Sequence, residues 1–198
     1  QISERISSRS EWPDIIVLLL IDGLSYAEVR HWMDVHPDIQ AKLEPCLVDG
    51  PTLTEIAFPS IVGDNPPAVS LFDRGYEHRL GFTYWSRENN PLTNILFHAV
   101  PTVEVVGDFS KILTSLRHKI QISGSHKSYI QILRTGLDGY AHHQKRKPPV
   151  MAIVNEVMDE VLSLASLVYD AGHNACIYLT SDQGILWRKD FEPHIVGR

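Results

Sequence analysis

Hydrophobic positions along this chain alternate between unbroken runs and spaced ones. The seven residues of Ile15–Ile21 are all aliphatic with no polar interruption. A continuous run of that length suits a parallel strand buried on both faces. Shorter apolar runs at 43–48, 102–106, 129–133 and 175–179 read as further strands. Between them the apolar residues recur every three or four positions, which predicts helices over 26–33, 93–99, 110–118 and 150–169. The last is the clearest: Val150, Ile153, Val154, Val157, Val161, Leu164, Ala165 and Val168 share one side, and Ala171-Gly172 ends it. Strand and helix in alternation predict an α/β fold, a three-layer sandwich with a mostly parallel sheet between helices.

One stretch breaks the rhythm. Residues 64–91 collect Pro66-Pro67, Gly75-Tyr76, Gly81-Phe82-Thr83-Tyr84-Trp85 and Asn89-Asn90-Pro91 without clear periodicity. An aromatic-rich loop or lid inside a single domain spanning 1–198 is expected there. Asp49-Gly50-Pro51 reads as a turn, and Gln144-Lys145-Arg146-Lys147 after His143 as a solvated basic loop.

Composition narrows the class. The 198 residues are enough for one core, and the formal charge of -6 excludes a surface that grips nucleic acid nonspecifically over its whole extent. Cys46 and Cys176 are the only cysteines, too few for a disulfide framework or a cysteine-based zinc site. A reducing, cytoplasmic location is expected. The run at 15–21 is far shorter than the ~20 residues of a membrane span, so no membrane segment is expected. The chain begins with Gln1, and an excerpt of a longer protein is expected.

The chemistry-bearing residues sit where apolar runs end. Asp22-Gly23 follows the first run, and Asp182, in Thr180-Ser181-Asp182-Gln183-Gly184, follows the last. Asp138 follows the run at 129–133 and carries His142 four residues on, one helical turn away and on the same face. Open α/β sheets place their ligands beyond the carboxyl ends of strands, so these carboxylates are expected to converge on one crevice. Carboxylates with an imidazole are ligands for Zn²⁺ or Mn²⁺. Each motif alone also reads as ordinary turn or cap chemistry. In Pro51-Thr52-Leu53-Thr54-Glu55-Ile56-Ala57-Phe58-Pro59-Ser60, the hydroxyls of Thr54 and Ser60 are candidates for meeting a phosphate at a helix start, or for a simple N-cap.

Taken in order, Leu20-Ile21-Asp22-Gly23-Leu24-Ser25-Tyr26, Thr54 with Pro59-Ser60, Leu137-Asp138-Gly139-Tyr140-Ala141-His142 and Thr180-Ser181-Asp182-Gln183-Gly184 resemble the alkaline phosphatase superfamily, and within it the PglZ domain of phage-defence and signalling proteins. The resemblance implies a metal-dependent phosphomonoesterase or phosphodiesterase with Thr54 as nucleophile. It implies one or two divalent metals, zinc first and Mn or Mg as alternatives, with Asp22 and Asp182 on one and Asp138 and His142 on the other. Gln183 stands where the superfamily has a histidine, and His194 is the one downstream histidine that matches a further ligand; both join the ligand expectations. Phosphorylated small molecules or nucleic acid are the implied substrates, and defence-system proteins the implied partners. The His-to-Gln difference also raises a second function class, a noncatalytic interaction module with a degenerate metal site.

Overall fold

The aliphatic run Ile15–Ile21 forms an interior strand, β1, of a five-stranded sheet in the computed structural model, which describes residues 2–8, 10–46, 53–62, 65–123, 126–143, 149–171 and 173–184. All seven of its side chains are buried, with Ile15, Val17, Leu19 and Ile21 packed in one core and Ile16, Leu18 and Leu20 in the other. Removing each such side chain from water contributes roughly 1.5–3 kcal/mol, which is why this run tolerates no polar residue.

The other strands are β2 (Tyr76–Thr83), β3 (Thr102–Val105), β4 (Lys127–Arg134) and β5 (Ala175–Thr180), in the spatial order β3-β2-β4-β1-β5. Every pairing is parallel. The expected three-layer α/β architecture is therefore present. One face is covered by α2 (Tyr26–Val35), α6 (Phe109–Ser123) and α8 (Val150–Asp170), which bring Trp32, Ile112, Leu116, Val154, Val157 and Leu164 against β1 and β4. The opposite face is covered by α1 (Ile2–Ser7), α3 (Thr54–Val62), α4 (Pro67–Phe72) and α5 (Pro91–Leu96), through Ile6, Phe58, Val62, Leu71 and Leu96. A short helix, α7 (Leu137–His143), follows β4.

Two expectations need correction. The stretch 64–91 is not a loop or lid: it holds α4 and β2, and β2 lies inside the sheet between β3 and β4. Tyr76 and Phe82 are core residues, Tyr84 and Trp85 pack half-buried against the two cores, and Phe72 is exposed. Tyr76 is buried and donates its hydroxyl to the Pro13 carbonyl at 2.5 Å, and Phe82 is buried in the opposite core. Glu77, His78 and Arg79 hid the strand; Arg79 donates to the Ala99 carbonyl at 2.8 Å and lies over the Phe72 ring, while its Nε is buried without a hydrogen-bond partner. The strand expected at 43–48 does not form over 43–46, where the backbone has no regular structure; 47–48 and the turn at 49–51 lie outside the described residues. Leu43 is spent instead as a partly buried contact of the core beneath α2 and α8. Residues 144–147 and Gly172 are also outside the described residues. No helix among the described residues is long and apolar enough to cross a membrane.

Candidate functional site

Strands β4, β1 and β5 are neighbours, so whatever follows their carboxyl ends meets in one place. Asp22 continues the β1 ladder by one step, its N–H donating to the Arg134 carbonyl at 3.1 Å. The chain then turns through Gly23, whose φ of 79° lies in the left-handed region that glycine adopts without strain. Ser25 caps α2, accepting from the Glu28 N–H at 3.3 Å while Glu28 accepts from the Ser25 N–H at 2.9 Å. This reciprocal box fixes where α2 starts and so holds the turn open.

Two residues past β5, Asp182 closes over that turn. Its Oδ1 accepts the Gly23 N–H at 3.2 Å, and the neighbouring Ser181 Oγ accepts the Leu24 N–H at 3.0 Å. Oδ2 of Asp182 accepts the Thr54 hydroxyl at 3.2 Å. Thr54 opens α3, which starts with the Leu53 carbonyl accepting from the Ile56 and Ala57 N–H groups, each at 2.9 Å. Ser60, the other candidate hydroxyl, is exposed and donates back to the Ile56 carbonyl at 2.9 Å within its own helix. Thr54 alone of the two reaches the carboxylates.

Asp138 arrives from the β4 side. Gly136 lets α7 approach, because a Cβ there would sit 2.2 Å from the Asp22 carbonyl oxygen. The Gln183 amide nitrogen lies 3.4 Å from Asp138 Oδ1, so one hydrogen-bonded chain links the β5 end to α7. His142 lies on α7, four residues after Asp138, and its side chain is outside the described ones; His194 is outside the described residues altogether. Among the described residues no three His, Cys, Asp or Glu side chains form a group that could hold a metal ion.

The electrostatics are one-sided. Asp22 is 5% exposed and Asp182 1%. Burial pushes Asp22 up to about 8, the charges of Asp182 and Asp138 push the same way, and so does its side-chain hydrogen bond with Asp182. Asp182 is also raised by burial, although the Gly23 N–H and the Thr54 hydroxyl oppose the shift. Oδ1 of Asp22 is buried with no hydrogen-bond partner. Buried carboxylates crowded together with one oxygen left over suit a cation, which would restore both the missing contact and the charge balance.

A charged group outside the acid-bearing motifs closes β4 beside this site. Arg134, the last residue of β4, is 7% exposed. Its guanidinium pairs with Glu160, with Glu156 at 3.1 Å and with the Thr135 carbonyl at 2.8 Å. Burial and the Glu160 charge push the nearby Tyr84 hydroxyl up to about 12. The signal was in the sequence: an arginine closing an apolar strand, and two glutamates four apart on the polar side of a long helix. A cleft of about 490 Å³ between α6 and α8, lined by Ser110, Asn155, Glu156, Asp159, Glu160 and Ser163 among others, opens on this face, away from Thr54.

A scan against known protein-family models finds no match to the chain, and a comparison with curated proteins finds none either.

Proposed function

We propose that the chain is a metal-dependent phosphoester hydrolase that uses Thr54 as its nucleophile. The observation that carries this reading is the Thr54 hydroxyl donating to Asp182 at 3.2 Å beside the unpartnered, buried oxygen of Asp22. A nucleophile held against a carboxylate has a route for its proton, and attack of Oγ on phosphorus would expel the alcohol and leave a phosphothreonine for water to cleave. A divalent cation bound by Asp22 and Asp182 would polarise the phosphoryl group and favour the alkoxide form of Thr54. The chain's own part is positioning: Gly23 and the Ser25 cap set the turn, and Asp182 orients the hydroxyl.

The ordered motifs support placing it with PglZ domains of the alkaline phosphatase superfamily, acting in the cytoplasm on nucleotides or nucleic acid within a phage-defence system. A second reading, a noncatalytic interaction module, is favoured by the Gln183 amide reaching Asp138 at 3.4 Å, where a ligand would otherwise face a metal. Hydrolysis of bis(p-nitrophenyl) phosphate and p-nitrophenyl phosphate with Mn²⁺, Mg²⁺ or Zn²⁺ separates the two. Turnover that falls by about a thousandfold in Thr54→Ala supports the hydrolase. Turnover absent with every metal, or unchanged in Thr54→Ala, overturns it.

A further inference from the structure

We propose that Arg79 is the centre of a second binding site, separate from the carboxylates, that takes a small organic acid as its carboxylate anion. The strands of the sheet hold two arginines, and their surroundings differ. Arg134 is 7% exposed and is compensated by Glu156 and Glu160. Arg79, in the interior strand β2, is half-buried and pairs with no carboxylate among the described residues. A cation taken partly out of water is costly unless an anion or further acceptors meet it.

One edge of this guanidinium is left open. Nη1 donates to the Ala99 carbonyl at 2.8 Å, and the Phe72 ring covers one face, its centroid 4.4 Å from Cζ. Nε is buried without a hydrogen-bond partner, and Nη2 donates to none among the described residues. Nε and Nη2 together form the side-on fork that meets a carboxylate through two parallel N–H···O bonds. The acceptor on the other edge comes from a strained residue: Ala99 has a φ of 61°, in the left-handed region that alanine adopts rarely. Its bond to Nη1 fixes the plane in which the fork lies.

The chemistry of the ligand follows from these groups. One guanidinium carries one positive charge, which matches a carboxylate monoanion. A phosphate dianion calls for a second cation, and the nearby Arg74 lies over the Trp12 ring instead. Phe72 is 49% exposed at the end of α4, so a shift of its ring uncovers the fork and leaves apolar surface for the body of the ligand. An aromatic or aliphatic monocarboxylate satisfies both the fork and that surface.

The experiment is titration of the full, metal-free chain with sodium benzoate, and with benzamide and inorganic phosphate at the same ionic strength, followed at the arginine Nε–H resonances by proton–nitrogen NMR. The resonance of Arg79 is identified by its loss in Arg79→Lys. The expected result is a saturable shift of that resonance with benzoate, with a Kd below about 10 mM, and none with the uncharged benzamide. Arg79→Lys keeps the charge but not the fork, and is expected to bind benzoate at least about tenfold more weakly, read at the Ala99 N–H. A resonance unmoved by benzoate, one moved as far by benzamide, or tighter binding of phosphate than of benzoate would overturn the inference. Should Arg79→Lys fail to fold, the arginine resonance is assigned through its own side-chain carbons, and the comparison of benzoate with benzamide in the wild type decides. The hydrolase reading stands or falls separately, since none of these measurements involves turnover or metal.

Discussion

Thr54 donates its hydroxyl to Oδ2 of Asp182 across 128 residues of sequence. The contact exists because α3 begins at the same edge of the sheet where β5 ends, and because Asp182 is anchored to the β1 turn through Gly23. Thr54→Ser keeps the donor and is expected to retain measurable turnover, reduced by about tenfold through the looser rotamer, whereas Thr54→Ala is expected to remove it. Steady-state kinetics on bis(p-nitrophenyl) phosphate check both; equal rates in the two variants would show that the hydroxyl is not used.

Stability without metal should depend on Asp22. Its folded value of about 8 lies above the ordinary carboxylate value near 4, so the folded chain holds this proton more tightly than the unfolded one. The stabilisation is complete below about pH 4 and is lost as pH rises through about 8. Metal-free protein is therefore expected to melt at lower temperature at pH 8 than at pH 5, and Asp22→Asn is expected to flatten that difference. Added Mn²⁺ should reverse the trend, since cation binding needs the carboxylates deprotonated. Thermal melts across pH, with and without a chelator, measure it. A pH slope in Asp22→Asn as steep as in the wild type would contradict the assignment.

Gly136 is fixed by crowding. A Cβ there would lie 2.2 Å from the Asp22 carbonyl oxygen and 2.8 Å from Ile21 Cγ2, and backbone cannot yield as a flexible side chain can. Gly136→Ala is expected to cost about 3 kcal/mol, at the upper end for overpacking, and to displace α7 from β1. Urea denaturation gives the cost. A loss below about 0.5 kcal/mol would show that the approach of α7 is looser than these distances imply.

Arg134 holds α8 to the sheet through Glu160 and Glu156. Arg134→Met leaves Glu160 partly buried without its partner and is expected to cost about 3–5 kcal/mol. Replacing both ends, Arg134→Met with Glu160→Leu, is expected to recover most of it. Chemical denaturation of the single and double variants completes the cycle; a double variant no better than the single would show that packing rather than charge pairing dominates.

Where the sequence could be read, one physical signal prevailed. β1, β5 and α8 emerged within a residue or so because seven aliphatics in a row, a short apolar run before Thr180, and a long period near 3.6 each allow one structure. β2 escaped because its charged residues interrupt the apolar pattern, and the Ala99 carbonyl that Arg79 meets lies 20 residues away in sequence. The site followed the same division. That Asp22, Asp138 and Asp182 share an edge follows from acids placed just past the ends of β1, β4 and β5, while the choice of Thr54 over Ser60 depends on where α3 starts and which way its first turn faces. The contact between Gln183 and Asp138 depends on α7 being admitted by Gly136, which no local pattern announces.

Attack of Thr54 on phosphorus, with a cation at Asp22 and Asp182, would leave a covalent intermediate that can be trapped. Protein mixed with a phosphomonoester and Mn²⁺, quenched in acid and digested, should carry phosphate on Thr54 when analysed by mass spectrometry, and Asp22→Asn should carry none. Turnover in the wild type with no phosphate on Thr54 under quench conditions that preserve phosphothreonine, or phosphate found on another residue, would contradict the account.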